Sequence, residues 1–529
     1  MTVRRSSARE AVRPGSNPGS GQQMNRWLEA LRSSLVLAVF IVLGTHAYWA
    51  LMAAGPVRED PVFVQMRRTR DQRNRRIEES GLRGWILDRT GAVENHLAGY
   101  RFSGEELIRN YPLGSAAVHV VGYHGLLRGS AGAESAFAKR LRSSLSTWNL
   151  FDTRGVVGED VRITLDRELQ RAAAEQLEHT GKPGAVVLVE VETGGVLAMA
   201  STPGFEPAAV DNDARWNQLR ADPLQPFVNR ALNQYYLPGS TFKTVVAASA
   251  LENGMEEQVF DCRRGGYLPP GARLAILDDG GENEIHGRIG LADAIRFSCN
   301  QYFAQLGVLL GYQRLARVIS NFGFIVHATP QQSRDRRVDD GAWNSDDIDF
   351  VRVFNPHASR VVLGRDTTPV DLALEAIGQG YIQATPFQMC MVAASLANPR
   401  GEMLAVRLDV GRSPVVRRRV LTPTLAEALR GHLRGVANRP GGTAYEALSP
   451  LLREGVSSGG KTGTAQFERG EDHRVDSWFI GFAPAESPKI ACAVVVEGGG
   501  YGGKVAAPIA ATLFGMSARR GLLAPQKAP

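Results

Sequence analysis

The stretch Tyr236-Leu-Pro-Gly-Ser-Thr-Phe-Lys-Thr-Val-Val-Ala-Ala248 contains a serine and a lysine three residues apart, directly after a Pro-Gly pair. The Pro-Gly pair favours a tight entry into a helix, and the residues that follow are good helix formers. Positions i and i+3 share one face of a helix, so the lysine amine can reach the serine hydroxyl. The sequence therefore predicts that Ser240 is a nucleophile and that Lys243 is its base.

Composition sets the limits for the rest of the chain. With 529 residues, 43% hydrophobic and 22% charged, the chain is long enough for more than one globular domain. Its net charge of +7 does not predict nucleic-acid binding, because no Lys/Arg run alternates with aromatic residues. The cysteines lack metal-ligand spacing, so we expect no metal site and at most one disulfide. They are Cys262, Cys299, Cys390 and Cys492.

The N-terminal region predicts a membrane anchor. Residues 1–34 are rich in arginine, glycine and serine and form a predicted tail, within which Met24 is an alternative start. Residues 35–54 are almost wholly apolar, about the 20 residues that a helix needs to cross a bilayer. Positive charge before this span predicts a cytoplasmic N-terminus and an extracytoplasmic, periplasmic-side catalytic domain. A cleaved signal peptide is the alternative, although its apolar core would be unusually long.

The pattern after the anchor predicts two further domains. Residues 55–160 form a small, non-catalytic, β-rich module, with a charged stalk over 58–79 and a mixed β-rich stretch over 111–127. Residues 161–520 form the second domain, and 521–529 are a tail. Because apolar strand patterns occur at both ends of the second domain with helical patterns between, we expect an α+β fold with one antiparallel sheet flanked by helices.

Three short motifs in the second domain carry the chemistry, and each is weak by itself. They are Ser240-x-x-Lys243, Ser298-Cys-Asn300 and Lys461-Thr-Gly463. A second S-x-x-K at Ser458-Gly-Gly-Lys461 starts with paired glycines, which disfavour a helix. The stretch 455–462 also matches the phosphate-loop pattern, but no apolar strand leads into it and a strand pattern follows it. The three motifs in this order, each in a suitable local pattern, are together a strong signal.

This trio of motifs resembles that of the penicillin-binding proteins and serine β-lactamases. The flanking segments Asn229-Arg-Ala231, Gly378-Gln-Gly380 and Trp478-Phe-Ile-Gly-Phe-Ala-Pro484 agree with the resemblance. Upstream, Arg83-Gly, Asp88-Arg-Thr-Gly91 and Gly132-Ala-Glu134 are similar to the N-terminal module of monofunctional class B penicillin-binding proteins. The resemblance implies a D,D-transpeptidase that cross-links peptidoglycan stem peptides and binds β-lactams covalently.

The resemblance also implies a role for each residue of the first two motifs. Ser240 attacks the D-Ala-D-Ala carbonyl to form an acyl-enzyme. Lys243 is the base, and burial together with the nearby Lys461 cation lowers its pKa. Ser298 relays a proton to the leaving amine, and Asn300 orients Lys243 and binds the substrate amide.

The third motif is implied to bind the substrate. Lys461 and Thr462 hold the terminal carboxylate, and the backbone N–H groups of Ser240 and Thr464 form the oxyanion hole. Gly463 is expected to be glycine because a side chain would collide with the acyl chain. No cofactor or metal is needed. A polytopic glycan polymerase is the implied partner, besides the membrane.

Four other activities compete with this interpretation. A D,D-carboxypeptidase differs only in using water as the acceptor, so residue types do not separate it from a transpeptidase. A β-lactamase needs a base for deacylation and has about half this length. A bifunctional polymerase does not fit into residues 55–160. A catalytically idle scaffold of the division or elongation machinery is disfavoured by the intact motifs.

Overall fold

The computed structural model describes residues 19–53, 82–142, 158–334, 350, 353–469 and 472–524. The chain divides into two compact units, Met1–Ser80 and Gly81–Pro529. The predicted stalk over 58–79 lies outside the described residues. The predicted domain bounds remain predictions.

The described helices are α1 Gly19–Ala53, α2 Gly132–Ala136, α3 Ala138–Leu141, α4 Arg167–Glu178, α5 Asp213–Ala221, α6 Arg230–Asn233, α7 Lys243–Glu252, α8 Leu291–Phe297, α9 Asn300–Asn321, α10 Pro330–Arg334, α11 Pro369–Ala376, α12 Pro386–Ala397, α13 Pro423–Asn438, α14 Tyr445–Arg453 and α15 Ala506–Arg519. Short 3-10 turns lie at Val93–Asn95, Gly114–Ala116, Pro207–Asp211 and Gly239–Phe242.

The described strands are β1 Ile86–Leu87, β2 His96–Ser103, β3 Glu106–Asn110, β4 His124–Gly125, β5 Gly129–Ser130, β6 Val161–Arg162, β7 Gly184–Glu190, β8 Val196–Thr202, β9 Phe260–Cys262, β10 Gly287–Ile289, β11 Ile325–His327, β12 Arg360–Val362, β13 Ile382–Gln383, β14 Glu402–Leu404, β15 Val416–Arg419, β16 Gly459–Arg469, β17 Asp472–Ala483 and β18 Ile490–Val496.

The first unit contains one long helix, α1, which begins at Gly19 instead of the expected Leu35. Strong helix formers precede the apolar span, so the helix extends back into the predicted tail. Its segment Arg26–Tyr48 is long and apolar enough to cross a membrane and is not buried inside the protein. The structure thus contains one candidate membrane span near the N-terminus.

Strands β1, β2 and β3 of the predicted β-rich module belong to a four-stranded sheet in the order β3-β2-β1-β6, and its fourth strand, β6, lies just past the predicted boundary at residue 160. Its strands lie mainly at residues 86–110, and the stretch 111–127 is mostly turns, contrary to the expectation of strands there. The Glu134 carboxylate is fully buried and pairs with Arg83 and Arg109 at 2.9 and 2.8 Å. This buried cluster joins the two segments that carry the upstream motifs.

The second domain is built on a five-stranded antiparallel sheet in the order β16-β17-β18-β7-β8. Strands from both ends of the domain meet at its centre, where Val494 pairs with Val186. Every residue of β18 is buried, so helices cover both faces of the sheet. The α+β fold with a helix-flanked antiparallel sheet is therefore confirmed.

Candidate active site

Ser240 lies on a 3-10 turn, Gly239–Phe242, that runs directly into α7; we call it the nucleophile turn. Gly239 has φ +52°, and its N–H donates to the Gly378 carbonyl at 3.1 Å. A Cβ on Gly239 would lie 2.9 Å from the Thr464 carbonyl oxygen. The turn is therefore packed against both the Gly378 loop and strand β16.

The buried Lys243 ammonium group binds the second motif. Its Nζ donates to the Ser298 carbonyl at 2.5 Å, to Asn300 Oδ1 at 2.7 Å and to Ser298 Oγ at 3.3 Å. Within the described part of the chain, the Lys243 backbone N–H donates to the Ser240 carbonyl, but no hydrogen bond joins the Lys243 amine to the Ser240 hydroxyl. The spacing in the sequence predicted that Ser240 and Lys243 lie on the same face of a helical segment. The hydrogen bonds of the Lys243 amine depend instead on a segment 55 residues further along the chain.

Ser298 lies at a break between two helices, although the sequence of residues 290–307 has a helical pattern that contains the whole second motif. Helix α8 ends at Phe297 and α9 begins at Asn300, and Ser298 has the left-handed φ of 64°. A non-glycine residue rarely adopts this conformation. The break points the Ser298 hydroxyl towards both lysines.

Lys461 is also fully buried and does not line the cleft. Its Nζ donates to Ser298 Oγ at 2.8 Å and to the Thr462 carbonyl at 3.0 Å. The Thr462 hydroxyl is 2.6 Å from that of Thr443 and faces the cleft. The structure therefore ties Lys461 to Ser298 instead of exposing it for a carboxylate.

Burial lowers the pKa of both lysines. It lowers the pKa of Lys243 to about 8, while Asp279, Cys299, Asp278 and Glu284 act in the opposite direction. It lowers the pKa of Lys461 well below its ordinary value, and the Lys243 charge lowers it further. Burial, one of the two expected causes, is therefore the largest cause of the lowered pKa of Lys243, and the repulsion between the two ammonium groups acts on Lys461.

The Asn300 side chain is held by the loop before α8. Its Nδ2 donates to the Leu277 carbonyl at 2.9 Å and to Asp279 Oδ1 at 3.4 Å. Its Oδ1 is the Lys243 acceptor, in line with the predicted orienting role. The amide donors that were expected to bind substrate are used within the protein in this structure.

An open cleft of about 530 Å³ lies above these groups. Of the predicted residues, Ser240, Ser298, Thr462, Gly463 and Thr464 line it. Sequence reasoning missed the other lining segments, which are 440–443, 501–504 and the acidic residues Asp278, Asp279 and Glu284. Their paired glycines, Gly441-Gly442 and Gly502-Gly503, were the signal that could have indicated close backbone packing.

Gly463 is packed closely against other parts of the protein. A Cβ there would lie 2.9 Å from Thr241 Cγ2, 3.0 Å from Trp478 Cβ and 3.1 Å from the Pro238 carbonyl oxygen. These atoms belong to the nucleophile turn, its preceding residue and the neighbouring strand. A side chain at this position would therefore collide within the protein, and the collision with the acyl chain stays a prediction.

A group of possible metal ligands lies behind the second motif. One donor atom each from Asp278, His286 and Cys299 lies within 4.8 Å of the others. The Cys262 thiol is 3.2 Å from that of Cys299, and all four cysteines are free and buried. Carboxylate, imidazole and thiolate are ligands that Zn²⁺ accepts. This set could hold a metal ion, which sequence spacing did not indicate.

The two competing motifs are not supported by the structure. Ser458 directly precedes strand β16, so the second S-x-x-K does not start a helix. The same strand continues through residues 459–469, whereas a phosphate loop requires a helix after its lysine.

The similarity to known proteins extends over most of the chain. Residues 184–515 match the Penicillin binding protein transpeptidase domain. The chain is 29% identical to "Peptidoglycan D,D-transpeptidase PbpA" of Mycolicibacterium smegmatis, covering 94% of this chain and 100% of that protein. It is also 29% identical to "Peptidoglycan D,D-transpeptidase MrdA" of Escherichia coli, covering 76% and 71%.

A solved structure is similar as well. Penicillin-binding protein A of Mycobacterium tuberculosis, solved as an imipenem acyl-enzyme complex, is 26% identical with a TM-score of 0.68, over 83% of this chain and 99% of that one. The motif geometry and the family match agree. The chain therefore belongs to the penicillin-binding protein transpeptidases, in the monofunctional class B group.

Proposed function

We propose that this chain is a serine-type D,D-transpeptidase that cross-links peptidoglycan through a Ser240 acyl-enzyme. The observation that carries the proposal is the Ser298 hydroxyl, which lies between two buried lysines, 3.3 Å from Lys243 Nζ and 2.8 Å from Lys461 Nζ. Two amines with lowered pKa values around one hydroxyl form a route for protons beside Ser240. The D,D-transpeptidase relatives agree with this activity.

Acylation begins when Ser240 Oγ attacks the carbonyl of the D-Ala-D-Ala bond. The neutral Lys243 amine takes the hydroxyl proton, and a pKa of about 8 leaves about a tenth of this amine neutral at pH 7. The backbone N–H groups of Ser240 and Thr464 are the proposed donors to the oxyanion. The close packing of Gly239 on Thr464 supports this pairing.

Expulsion of D-alanine requires a proton on the leaving nitrogen. Lys243 returns its proton through Ser298 Oγ, which lines the cleft and contacts both lysines. The C–N bond then breaks, and the acyl group stays on Ser240. The amine of a second stem peptide then attacks this ester and gives a proton to Lys243. The acyl C–O bond breaks and Lys243 returns the proton to Ser240 Oγ, which forms the cross-link and frees the serine.

Substrate binding is proposed along strand β16. This strand is at the edge of the sheet, so an extended peptide can pair with its free backbone groups. The Thr462 and Thr443 hydroxyls face the cleft and are the proposed donors to the terminal carboxylate. Lys461 lies behind these hydroxyls and contacts the site through Ser298 Oγ and the Thr462 carbonyl.

Labelling with a fluorescent penicillin tests the nucleophile. The wild-type protein should be labelled, Ser240→Ala should lose the label, and the matched control Ser458→Ala, in the second S-x-x-K, should keep it. Labelling of Ser240→Ala would refute the assignment. The imipenem acyl-enzyme of the mycobacterial relative makes covalent β-lactam binding the expected result.

A D,D-carboxypeptidase is the second candidate, because water can replace the amine at the same acyl-enzyme. Purified protein given lipid-linked precursor and an amine acceptor should produce cross-linked dimers. Trimmed monomers without dimers would favour the carboxypeptidase.

We also propose that α1 anchors the protein with its N-terminus in the cytoplasm and that a polytopic glycan polymerase supplies the glycan strands. Co-purification with such a polymerase would test the partner.

A further inference from the structure

A short loop after α11 contacts the nucleophile turn and strand β16, which carries Thr464. We call residues 377–381 the glycine loop. Its Gly378 carbonyl accepts from Gly239 N at 3.1 Å, and its Gln379 Nε2 donates to the Thr464 carbonyl at 3.4 Å. A Cβ on Gly378, where φ is +76°, would lie 2.0 Å from the Gly239 carbonyl oxygen. The glycine loop therefore supports both proposed oxyanion donors.

The Glu375 side chain fixes this loop from inside the protein. Glu375 is buried near the end of α11, and its Oε1 accepts from Tyr381 N at 2.6 Å. Its backbone carbonyl accepts from Gly378 N at 3.0 Å. A Cβ on Gly380 would lie 2.5 Å from Glu375 Cδ, so the loop packs directly on this carboxyl group. One residue thus holds both ends of the loop.

The end of the loop also leads back to the nucleophile segment. Two hydrogen bonds of 2.9 Å join the backbones of Ala384 and Tyr236, four residues before Ser240. A displacement at Tyr381 would therefore reach the nucleophile turn by two routes, through Gly378 on Gly239 and through Ala384 on Tyr236.

We propose that Glu375 is a positioning residue for acylation, whose carboxyl group holds the glycine loop against the nucleophile turn and strand β16. This inference deepens the proposed function and rests on acyl transfer at Ser240. Glu375 does not touch the reacting atoms; it acts through Gly378 and Gln379 on the geometry around Ser240 and Thr464.

The carboxyl group works in its neutral form. Burial raises the pKa of Glu375 to about 8, the Tyr381 N–H of the glycine loop lowers it, and the Asp371 carboxylate on the same helix raises it. Its Oε2 is buried without a hydrogen-bond partner among the described residues. Since a buried carboxylate with no cation beside it in the described part of the chain and only the Tyr381 N–H as a donor is costly, ionisation above pH 8 should loosen the loop.

Acylation rates of the full-length protein with a fluorescent penicillin test this inference. Glu375→Gln keeps the acceptor for Tyr381 N but cannot ionise. Its rate should be within about 2-fold of wild type at pH 6.5, and the ratio of its rate to that of wild type should rise by about 3-fold or more at pH 9. Glu375→Ala should acylate about 10-fold more slowly or worse, because small misplacements near a nucleophile are costly.

Glu402→Gln is the matched control, because it removes a buried carboxylate that is paired with Arg400 and Arg419 away from the cleft. Its rate ratio to wild type should not change with pH. A flat ratio for Glu375→Gln, or a wild-type rate for folded Glu375→Ala, would overturn the inference while leaving Ser240 labelling intact. If the wild-type protein were not labelled by the fluorescent penicillin, the proposed function would be overturned instead.

Discussion

Replacing Gly463 with alanine tests whether packing or substrate requires this glycine. The new Cβ would lie 2.9, 3.0 and 3.1 Å from its three nearest atoms, whereas ordinary contact begins near 3.4 Å. All three atoms belong to the protein and lie in or beside the nucleophile turn or on β17. We therefore expect Gly463→Ala to lower the free energy of unfolding by about 1–3 kcal/mol, as overpacking does, and to slow acylation about 10-fold or more through misplacement of Ser240.

The second variant of this test is Thr241→Ser. It removes Cγ2, the nearest of the three atoms, and keeps the hydroxyl that donates to the Pro238 carbonyl at 2.6 Å. In a double-mutant cycle, the Thr241→Ser change should recover about 0.5–2 kcal/mol of the loss caused by Gly463→Ala. Thermal unfolding and penicillin acylation rates are the measurements. Additive effects, or a Gly463→Ala variant with wild-type stability and slow acylation, would refute the packing argument and restore a collision with substrate.

Three further predictions follow from the buried charges. The pKa of Lys243 is about 8 in the folded protein, against an ordinary value of 10.5 that we take for the unfolded chain. Between about pH 8 and pH 10.5 the unfolded state therefore binds more protons, so the free energy of unfolding should rise with pH in this range. Lys243→Met should remove this rise in melting curves measured at several pH values. Glu134→Gln should lose about 3–5 kcal/mol in chemical denaturation, because Arg83 and Arg109 would stay buried without their partner, and an unchanged midpoint would contradict this. Ser298→Ala should slow acylation by about 100-fold in stopped-flow measurements while leaving the melting temperature near that of wild type, since it removes the bridge between two amines. A smaller effect on the rate would move the relay elsewhere.

Local patterns predicted the elements of the catalytic domain well. The alternation and apolar runs at residues 185–200 and 461–496 predicted the strands that form the central sheet, because both faces of these strands are buried. The Pro-Gly pair before Ser240 predicted a tight helix entry, which is the observed 3-10 turn. These features depend on interactions between residues close in the chain.

The errors occur where distant segments meet. The helix break at Ser298 and the burial of Lys461 depend on segments far apart in the sequence, so no local pattern reports them. The close packing around Gly463 has the same origin. The loops at 440–443 and 501–504 were missed for the same reason. Glycine at these positions reflects the close approach of another backbone, which spacing alone does not identify.

The sequence by itself determined the class of chemistry, since the identity and order of the residues at 240, 243, 298, 300 and 461 are typical of one family. Tertiary structure decided that both amines have lowered pKa values and that the Ser298 hydroxyl bridges them, because burial and the distances between side chains set a pKa. It also placed the glycine loop and Glu375 where they support the nucleophile turn. Those contacts exist only after the sheet has brought both ends of the domain together.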